Sequence, residues 1–171
     1  MLKKLIIGLL VIVGLLVAAF FCMGILYPSV EYTTTIQVNK PRNVAWQVMR
    51  ERRDWIYGFK SYEPLSGAPD QPGSRARVTV VRDGRETVFD TELLDIKPPE
   101  YAVTQFTNQT LVHNAAVQLS ESGGKTTIVS TEKLEGKNIF WRSIFAIFRG
   151  SIVDTSRKNF DGLKQAIEST Q

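Results

Sequence analysis

Three ionisable side chains on predicted strands could carry chemistry in this sequence: His113, Glu92 and Glu132. His113 has the strand parity of Leu111 and Ala115, so its imidazole is expected on the apolar face of the sheet, where it could hydrogen-bond a ligand or transfer a proton. Each glutamate has the parity of nearby apolar residues and would enter the same space. Apolar surroundings there would raise the carboxyl pKa, as a general acid requires.

Each of these residues also has an ordinary structural interpretation. His113 would then be a hydrogen-bonded histidine of the core or rim. Glu92 and Glu132 would each lie in water near a strand end, or would pair with an arginine such as Arg77. If all three face inward, they form a polar patch in an otherwise apolar cavity, which is how such cavities usually set specificity.

Composition excludes several classes of function. The chain has 171 residues, 43% of them hydrophobic, enough for one domain with a substantial core. Cys22 is its only cysteine and His113 its only histidine, which excludes an intrachain disulfide, a cysteine zinc site and a two-histidine zinc site. The formal charge of +4 includes Lys3 and Lys4, and the rest is too small to indicate nucleic-acid binding. With no dinucleotide-binding loop, P-loop, HExxH or CxxC motif, neither a cofactor nor a metal is predicted.

The N-terminal segment is predicted to be a membrane anchor. Residues 5–26 carry no charge, and about 20 apolar residues cross the hydrocarbon core of a bilayer as a helix. Lys3 and Lys4 precede this run, so the N-terminus is expected in the cytoplasm and the remaining chain on the outer, periplasmic or extracellular side. The alternative is a cleaved signal peptide, whose apolar core is usually shorter, about 7–15 residues.

The anchor sets the domain boundaries. The predicted segments are a transmembrane helix (1–27), a linker (28–30) and one folded domain (31–170). Gly14, Ala18 and Cys22 are spaced four apart, a small-residue pattern that can pack two transmembrane helices together. Weak self-association through this helix is therefore a further prediction.

A strand and two short helices are expected directly after the anchor. Residues 31–38 alternate and are rich in β-branched side chains, which is typical of a strand. Pro41 marks the start of a short amphipathic helix. Trp55 and Ile56 lie at helical spacing with Phe59, which indicates a second short helix over residues 52–59.

The middle of the chain is predicted to form about six antiparallel strands in hairpin succession. Turn signals separate alternating segments at Asp83-Gly84, Pro98-Pro99, Asn108-Gln109 and Ser122-Gly123-Gly124. Strands followed by a helix that covers one face define an α+β architecture of about seven strands.

One long helix is predicted over residues 138–168. Apolar positions recur at steps of three and four and form a single stripe: Trp141, Ile144, Phe145, Phe148, Ile152, Phe160, Leu163 and Ile167. Gly150-Ser151 is the expected weak point of this helix, because glycine is a poor helix former. The half of the stripe around it is where ligand contacts and any opening motion are expected.

Several local phrases, in this order, resemble the START-related helix-grip superfamily (the SRPBCC, or polyketide cyclase/lipid transport, group). They are Ile36-x4-Pro41-x2-Val44-x-Trp46, Trp55, Leu94-Asp95-Ile96-Lys97-Pro98-Pro99, Gly124-Lys125-Thr126-Thr127-Ile128 and Phe160-x2-Leu163-Lys164-x3-Glu168. The resemblance implies a curved antiparallel sheet wrapped on a C-terminal helix, with a cavity between them that takes lipids, sterols, polyketides or other apolar molecules. It brings no universal catalytic motif, and the fold alone does not define a function.

Three functions remain open from the sequence. The first is a membrane-anchored binding domain for a hydrophobic small molecule or lipid, with these expected contacts: Trp55, Val78, Val80, Leu94, His113, Ala115, Val117, Ile144, Phe145, Phe148 and Ile152. The second is a cyclase/dehydratase- or hydrolase-type enzyme that uses His113 with Glu92 or Glu132. The third is an interaction domain whose core is filled and takes no ligand.

Overall fold

The computed structural model describes residues 2–170, which begin with a long apolar helix. Helix α1 runs from Leu2 to Leu26 and is apolar on all sides. At 1.5 Å per residue it is roughly 37 Å long, enough to span a bilayer. It is the one helix in the described chain that is long and apolar enough to do so.

Strand β1 (Ser29–Val38) follows after two residues, so it already begins inside the predicted linker. Pro41 caps α2 (Arg42–Glu51), as proline near a helix start favours. The second short helix predicted over residues 52–59 is wrong: residues 52–58 form turns. These turns lie against the last helix, where a Cβ on Gly162 would be 2.7 Å from the carbonyl oxygen of Trp55.

Six further strands complete one antiparallel sheet, which confirms the predicted helix-grip architecture. They are β2 (Phe59–Ser66), β3 (Arg75–Arg82), β4 (Arg85–Lys97), β5 (Tyr101–Thr107), β6 (Leu111–Ser122) and β7 (Lys125–Gly136). Their order is β1-β7-β6-β5-β4-β3-β2, so β1 and β2 form the two edges. Strand β7 pairs with β1 along its length and therefore joins the two ends of the chain's strand region.

One face of the sheet packs on the C-terminal helices. In β7 the even positions from Thr126 to Leu134 are buried, whereas Lys125, Thr131 and Lys133 on the other parity are not. The core joins α2, the sheet and the last helix through these buried side chains: Ile36, Val38, Ala45, Val48, Met49, Leu119, Ile128, Phe160, Leu163, Ala166 and Ile167. We call this covered side of the sheet its inner face.

A bulge in β4 reverses the strand's parity. Leu93 pairs with Thr104 and Asp95 pairs with Val103, so Leu94 is one extra residue on β4. Leu93 is buried and Leu94 is 41% exposed. Because one extra residue shifts every later side chain to the opposite face, positions before and after Leu94 cannot be assigned from a single parity.

The long C-terminal helix is divided in two. Helix α3 (Ile139–Ile147) ends at Phe148, whose φ of −95° and ψ of 19° leave the helical region, and α4 (Arg149–Glu168) begins directly after it. A single helix over residues 138–168, weak at Gly150-Ser151, is therefore wrong; the interruption lies two residues earlier. The two helices pack on different partners: α3 on α1 and β7, α4 on β1 and α2.

Helices α1 and α3 are in close contact. Gly24 is buried, and a Cβ there would be 2.5 Å from both the Ile139 carbonyl oxygen and Ser143 Oγ. The rings of Phe20 and Phe140 are 5.6 Å apart. Only glycine permits this approach, so the last turns of α1 are fitted to the folded domain.

Candidate functional site

Glu132 is the centre of a buried polar network. It lies on the inner face of β7, paired with Tyr32 on β1 and Ala115 on β6, and is 6% exposed. Its Oε2 accepts hydrogen bonds from the Tyr32 hydroxyl and from His113 Nε2, both at 2.9 Å. Its Oε1 accepts from Ser156 Oγ at 2.6 Å and Ser130 Oγ at 3.2 Å.

The network extends from the sheet to helix α4. Ser156 lies one turn before the core residue Phe160 on the buried face of α4. Because its hydroxyl proton is directed to Glu132, Ser156 Oγ accepts from Thr34 Oγ1 at 3.2 Å. Strand β1, strand β7 and helix α4 are therefore connected through one carboxylate.

The network keeps Glu132 ionised. Burial by itself would raise the pKa of this carboxyl, but the hydrogen bonds from His113, Ser156 and Tyr32 and the electrostatic interaction with His113 outweigh it and lower the pKa below its usual range. Burial, together with the adjacent Glu132 charge, raises the pKa of the Tyr32 phenol, which therefore remains a proton donor. Each carboxylate oxygen has two donors, so Glu132 has no free acceptor site for a substrate proton.

His113 has a ring nitrogen that the network leaves available to a ligand. Its Nε2 must donate to the ionised Glu132, so Nδ1 is the acceptor of the neutral imidazole. Within residues 2–170 the ring makes no other protein hydrogen bond, and its side chain is 20% exposed. Phe106, its partner across β5 and β6, stacks on the ring at 5.6 Å. A ligand could bond to Nδ1 while Glu132 holds the ring in place.

The inward position predicted for Glu92 is wrong. Its neighbours Thr91 and Leu93 are buried on the inner face, so Glu92 lies on the outer face, 3.7 Å from Arg75 Nε in a partly exposed ion pair. Leu94, predicted as a ligand contact, is the exposed residue of the bulge. The same bulge explains both corrections, because the prediction took the parity of Glu92 from residues at and beyond it.

The remaining predicted contacts are distributed over the inner face and the helices. Val78 and Val80 are buried on β3, Ala115 and Val117 are half-buried on β6 beside His113, and Trp55 packs against the core. On the helices Ile144, Phe145 and Ile152 are half-buried. Phe148 is 56% exposed at the junction of α3 and α4 and is not enclosed between helix and sheet. Of the three phenylalanines Phe145, Phe148 and Phe160, only Phe160 is therefore fully buried in the core.

Sequence reasoning missed four members of the network: Tyr32, Thr34, Ser130 and Ser156. The inward position of each could have been predicted from a pattern in the sequence. Tyr32 and Thr34 have the parity of Ile36, and Ser130 that of Ile128. Ser156 lies four residues from both Ile152 and Phe160, so it interrupts an apolar stripe with a hydroxyl, which is typical of a buried polar contact.

A metal centre has no set of ligands in the described chain. No group of three or more His, Cys, Asp and Glu side chains comes together among residues 2–170. The donors around Glu132 are hydroxyls and one imidazole, which satisfy the carboxylate by hydrogen bonding alone.

The fold is shared with solved structures at low sequence identity. No family model and no curated protein matches the sequence. Ara h 8.0201 is 14% identical with a TM-score of 0.65 over 83% of this chain and 99% of that one. The di-domain ARO/CYC BexL of the BE-7585A biosynthetic pathway is 15% identical with a TM-score of 0.67, over 85% of this chain and 52% of that one. Major latex-like protein 151 from Panax ginseng is 10% identical with a TM-score of 0.63, over 83% of this chain and 97% of that one.

These similarities define the class of protein by its fold. The chain has the helix-grip fold of the START-related SRPBCC proteins, as the sequence resemblance implied. At 10–15% identity the comparison defines the architecture of this chain alone.

Proposed function

We propose that this protein is a membrane-anchored binding domain for a hydrophobic small molecule or lipid, held between the sheet and the C-terminal helices. The observation that carries the proposal is the mixed character of the inner face. Ala115 and Phe106 remain half-buried there, directly beside the hydrogen-bonded pair of Glu132 and His113. Apolar surface with one fixed polar group is the usual composition of a small-molecule site.

His113 Nδ1 would bind the polar end of the ligand. An imidazole held through Nε2 accepts a hydrogen bond from a ligand hydroxyl or amide, and donates one when it is protonated. The entropic cost of immobilising the ring on binding is small, because Glu132 and the stacked Phe106 already hold it.

The contact between α1 and α3 supports the membrane part of the proposal. Ile139, Phe140, Ile147 and Phe148 are exposed on or directly after α3, next to the end of the apolar helix α1. Such a patch beside a membrane-spanning helix suits the interfacial region of a bilayer. A signal peptide is removed, so the fit of Gly24 against Ser143 favours an uncleaved anchor.

Two neighbouring alanines provide a direct test. Ala115 and Ala116 are consecutive on β6, one half-buried on the inner face and the other exposed on the outer face. Ala115→Trp should reduce binding of a fluorescent apolar probe such as 1-anilinonaphthalene to the full-length protein by at least tenfold, because the indole occupies ligand space. Ala116→Trp should leave it unchanged. Equal affinity in both variants would contradict the proposed site.

An enzyme is the second candidate, and it is favoured by the free Nδ1 of His113. In that case Nδ1 would be the general base or acid of a cyclase/dehydratase- or hydrolase-type reaction, and Glu132 would orient the ring. Native mass spectrometry of the full chain purified from cells separates the two. A mass difference between the small molecules that copurify with wild type and with His113→Ala indicates turnover, whereas the same molecule in both indicates binding.

A further inference from the structure

Arg82 is an unmatched cation on the inner face. It ends strand β3 with the parity of Val78 and Val80, both of which are buried on that face. The side chain of Arg82 is itself half-buried. A charged group at such a position is costly unless it has a partner.

Tyr57 supports the guanidinium without neutralising it. Arg82 Nε donates to the Tyr57 carbonyl oxygen at 3.1 Å, and the guanidinium carbon lies 5.6 Å from the centre of the Tyr57 ring. The backbone N–H of Tyr57 donates to Asn159 Oδ1 on α4 at 2.8 Å. Lys158, the preceding residue on α4, places its Nζ 4.9 Å from the centre of the same ring. Two cations, one from strand β3 and one from helix α4, therefore lie near the same aromatic ring.

No carboxylate compensates these charges. Among residues 2–170 neither Arg82 nor Lys158 takes part in an ion pair, although most exposed arginines of the sheet do, for example Arg75 and Arg77. Burial lowers the pKa of Arg82, and only the phenols of Tyr57 and Tyr32 oppose this effect. Each terminal nitrogen of the guanidinium is without a protein hydrogen bond in that same range.

The polar network and Arg82 share the inner face but belong to different strands. Tyr32 is on edge strand β1, whereas Arg82 is on β3, next to the other edge strand. Glu132 is the buried acid of the inner face, but its four acceptor positions are occupied by its own donors. An added anion at Arg82 would therefore not compete with a protein carboxylate for the guanidinium.

We propose that Arg82 and Lys158 form a binding site for the anionic head group of an amphiphile, a carboxylate or a phosphate monoester, whose apolar tail lies along the inner face. The inference rests on the proposed function, since it names the ligand class of the same inner-face site. A guanidinium with two free terminal nitrogens binds either group in a two-point arrangement. Lys158, which is exposed, adds a second positive charge at the outer end of the site.

Three single-chain ligands with the same tail test the head group: oleate, oleoyl lysophosphatidic acid and oleyl alcohol. Their affinities for the full chain, held in a detergent-free amphipathic polymer, are measured by titration calorimetry at pH 7.5. The two anions should bind at least tenfold more tightly than the alcohol. The ratio of the affinities for oleate and for lysophosphatidic acid shows which anion the site prefers.

Matched arginine variants then locate the effect. Arg82→Gln should weaken both anions about tenfold or more and leave the alcohol unchanged. Arg77→Gln is the control, because Arg77 is an exposed arginine on the outer face of the same strand. If Arg82→Gln does not fold, Lys158→Gln carries the test, with an expected loss of about threefold for the anions only.

The outcomes separate the two proposals. Equal affinity for oleate and oleyl alcohol, unchanged by Arg82→Gln, would overturn the anion site and leave the hydrophobic site intact. Absence of binding for all three ligands would overturn the proposed function itself.

Discussion

The hydroxyl of Ser156 donates a hydrogen bond of 2.6 Å to Glu132 Oε1, and this contact attaches helix α4 to the inner face of the sheet. Most of the α4 interface is apolar, through residues such as Phe160 and Leu163. Such packing tolerates small displacements, whereas a hydrogen bond to a buried carboxylate has one geometry. The pair therefore fixes the rotation and height of α4 beside the candidate cavity.

Removing the Ser156 hydroxyl should destabilise the fold. Ser156→Ala deprives a buried carboxylate of one donor and Thr34 of its acceptor, at an expected cost of about 1–3 kcal/mol in the free energy of unfolding. Urea unfolding of the detergent-solubilised chain, followed by tryptophan fluorescence, measures it. Ser151→Ala, at an exposed position of the same helix, should change the free energy by less than about 0.5 kcal/mol. Equal losses in both variants would contradict a specific role for Ser156.

The lowered pKa of Glu132 predicts acid sensitivity. A carboxyl whose pKa is lower in the folded state stabilises the fold above its unfolded pKa, about 4.3, and that contribution is lost as the pH falls through the folded value. The free energy of unfolding of the wild type should therefore decrease as the pH is lowered below about 5. Glu132→Gln should be less stable at pH 7 and should show a weaker dependence on pH between 5 and 3.

Glu92→Gln is the control for this experiment, since Glu92 belongs to a partly exposed ion pair with Arg75. Its stability should follow the wild-type curve across the whole pH range. A Glu132→Gln curve parallel to wild type would show that the network does not retain its charge.

The fit between α1 and α3 can be tested at Gly24. Any side chain there meets the Ile139 carbonyl and Ser143, so Gly24→Val should separate the helices, whereas Gly14→Val meets no atom within 4 Å. Cysteines replacing Phe20 and Phe140, in a Cys22→Ser background, report the separation through a short bifunctional thiol reagent. Crosslinking should be lost with Gly24→Val and kept with Gly14→Val. Efficient crosslinking in the Gly24 variant would disprove the fit.

The orientation in the membrane is a prediction from Lys3 and Lys4. A single cysteine replacing the exposed Glu63, again with Cys22→Ser, should react with a membrane-impermeant maleimide in intact cells. A cysteine replacing Lys4 should react only after permeabilisation. The reverse pattern would place the folded domain in the cytoplasm.

Regular strands made part of the site predictable from the sequence. Strand β7 pairs without interruption along β6 and β1, so the parity of Ile128 and Leu134 correctly placed Glu132 on the inner face. The parity rule failed for Glu92 because a bulge at Leu94 has no strong sequence signal; it depends on how β4 and β5 meet.

The helix interruption shows the same limit. Low propensity at Gly150-Ser151 indicated a weak region, but the interruption falls at Phe148, where the partner of the helix changes from α1 to the core. Propensity is a local property, whereas the surface on which a helix packs is set by the whole fold. The Arg82–Tyr57–Lys158 cluster likewise joins three elements that are distant in the sequence.

If the chain is anchored as proposed, strand β2, one of the two sheet edges, has a consequence for copies that share a membrane. Anchored molecules are confined to a plane, so exposed sheet edges meet far more often than they do in free solution. Pro64 lies within β2 and has no N–H to offer a neighbouring strand, and the pairing of β2 with β3 is irregular towards both ends of the strand. Both features oppose strand-to-strand aggregation. This exposed edge is thus one that the sequence makes poorly able to accept a second copy.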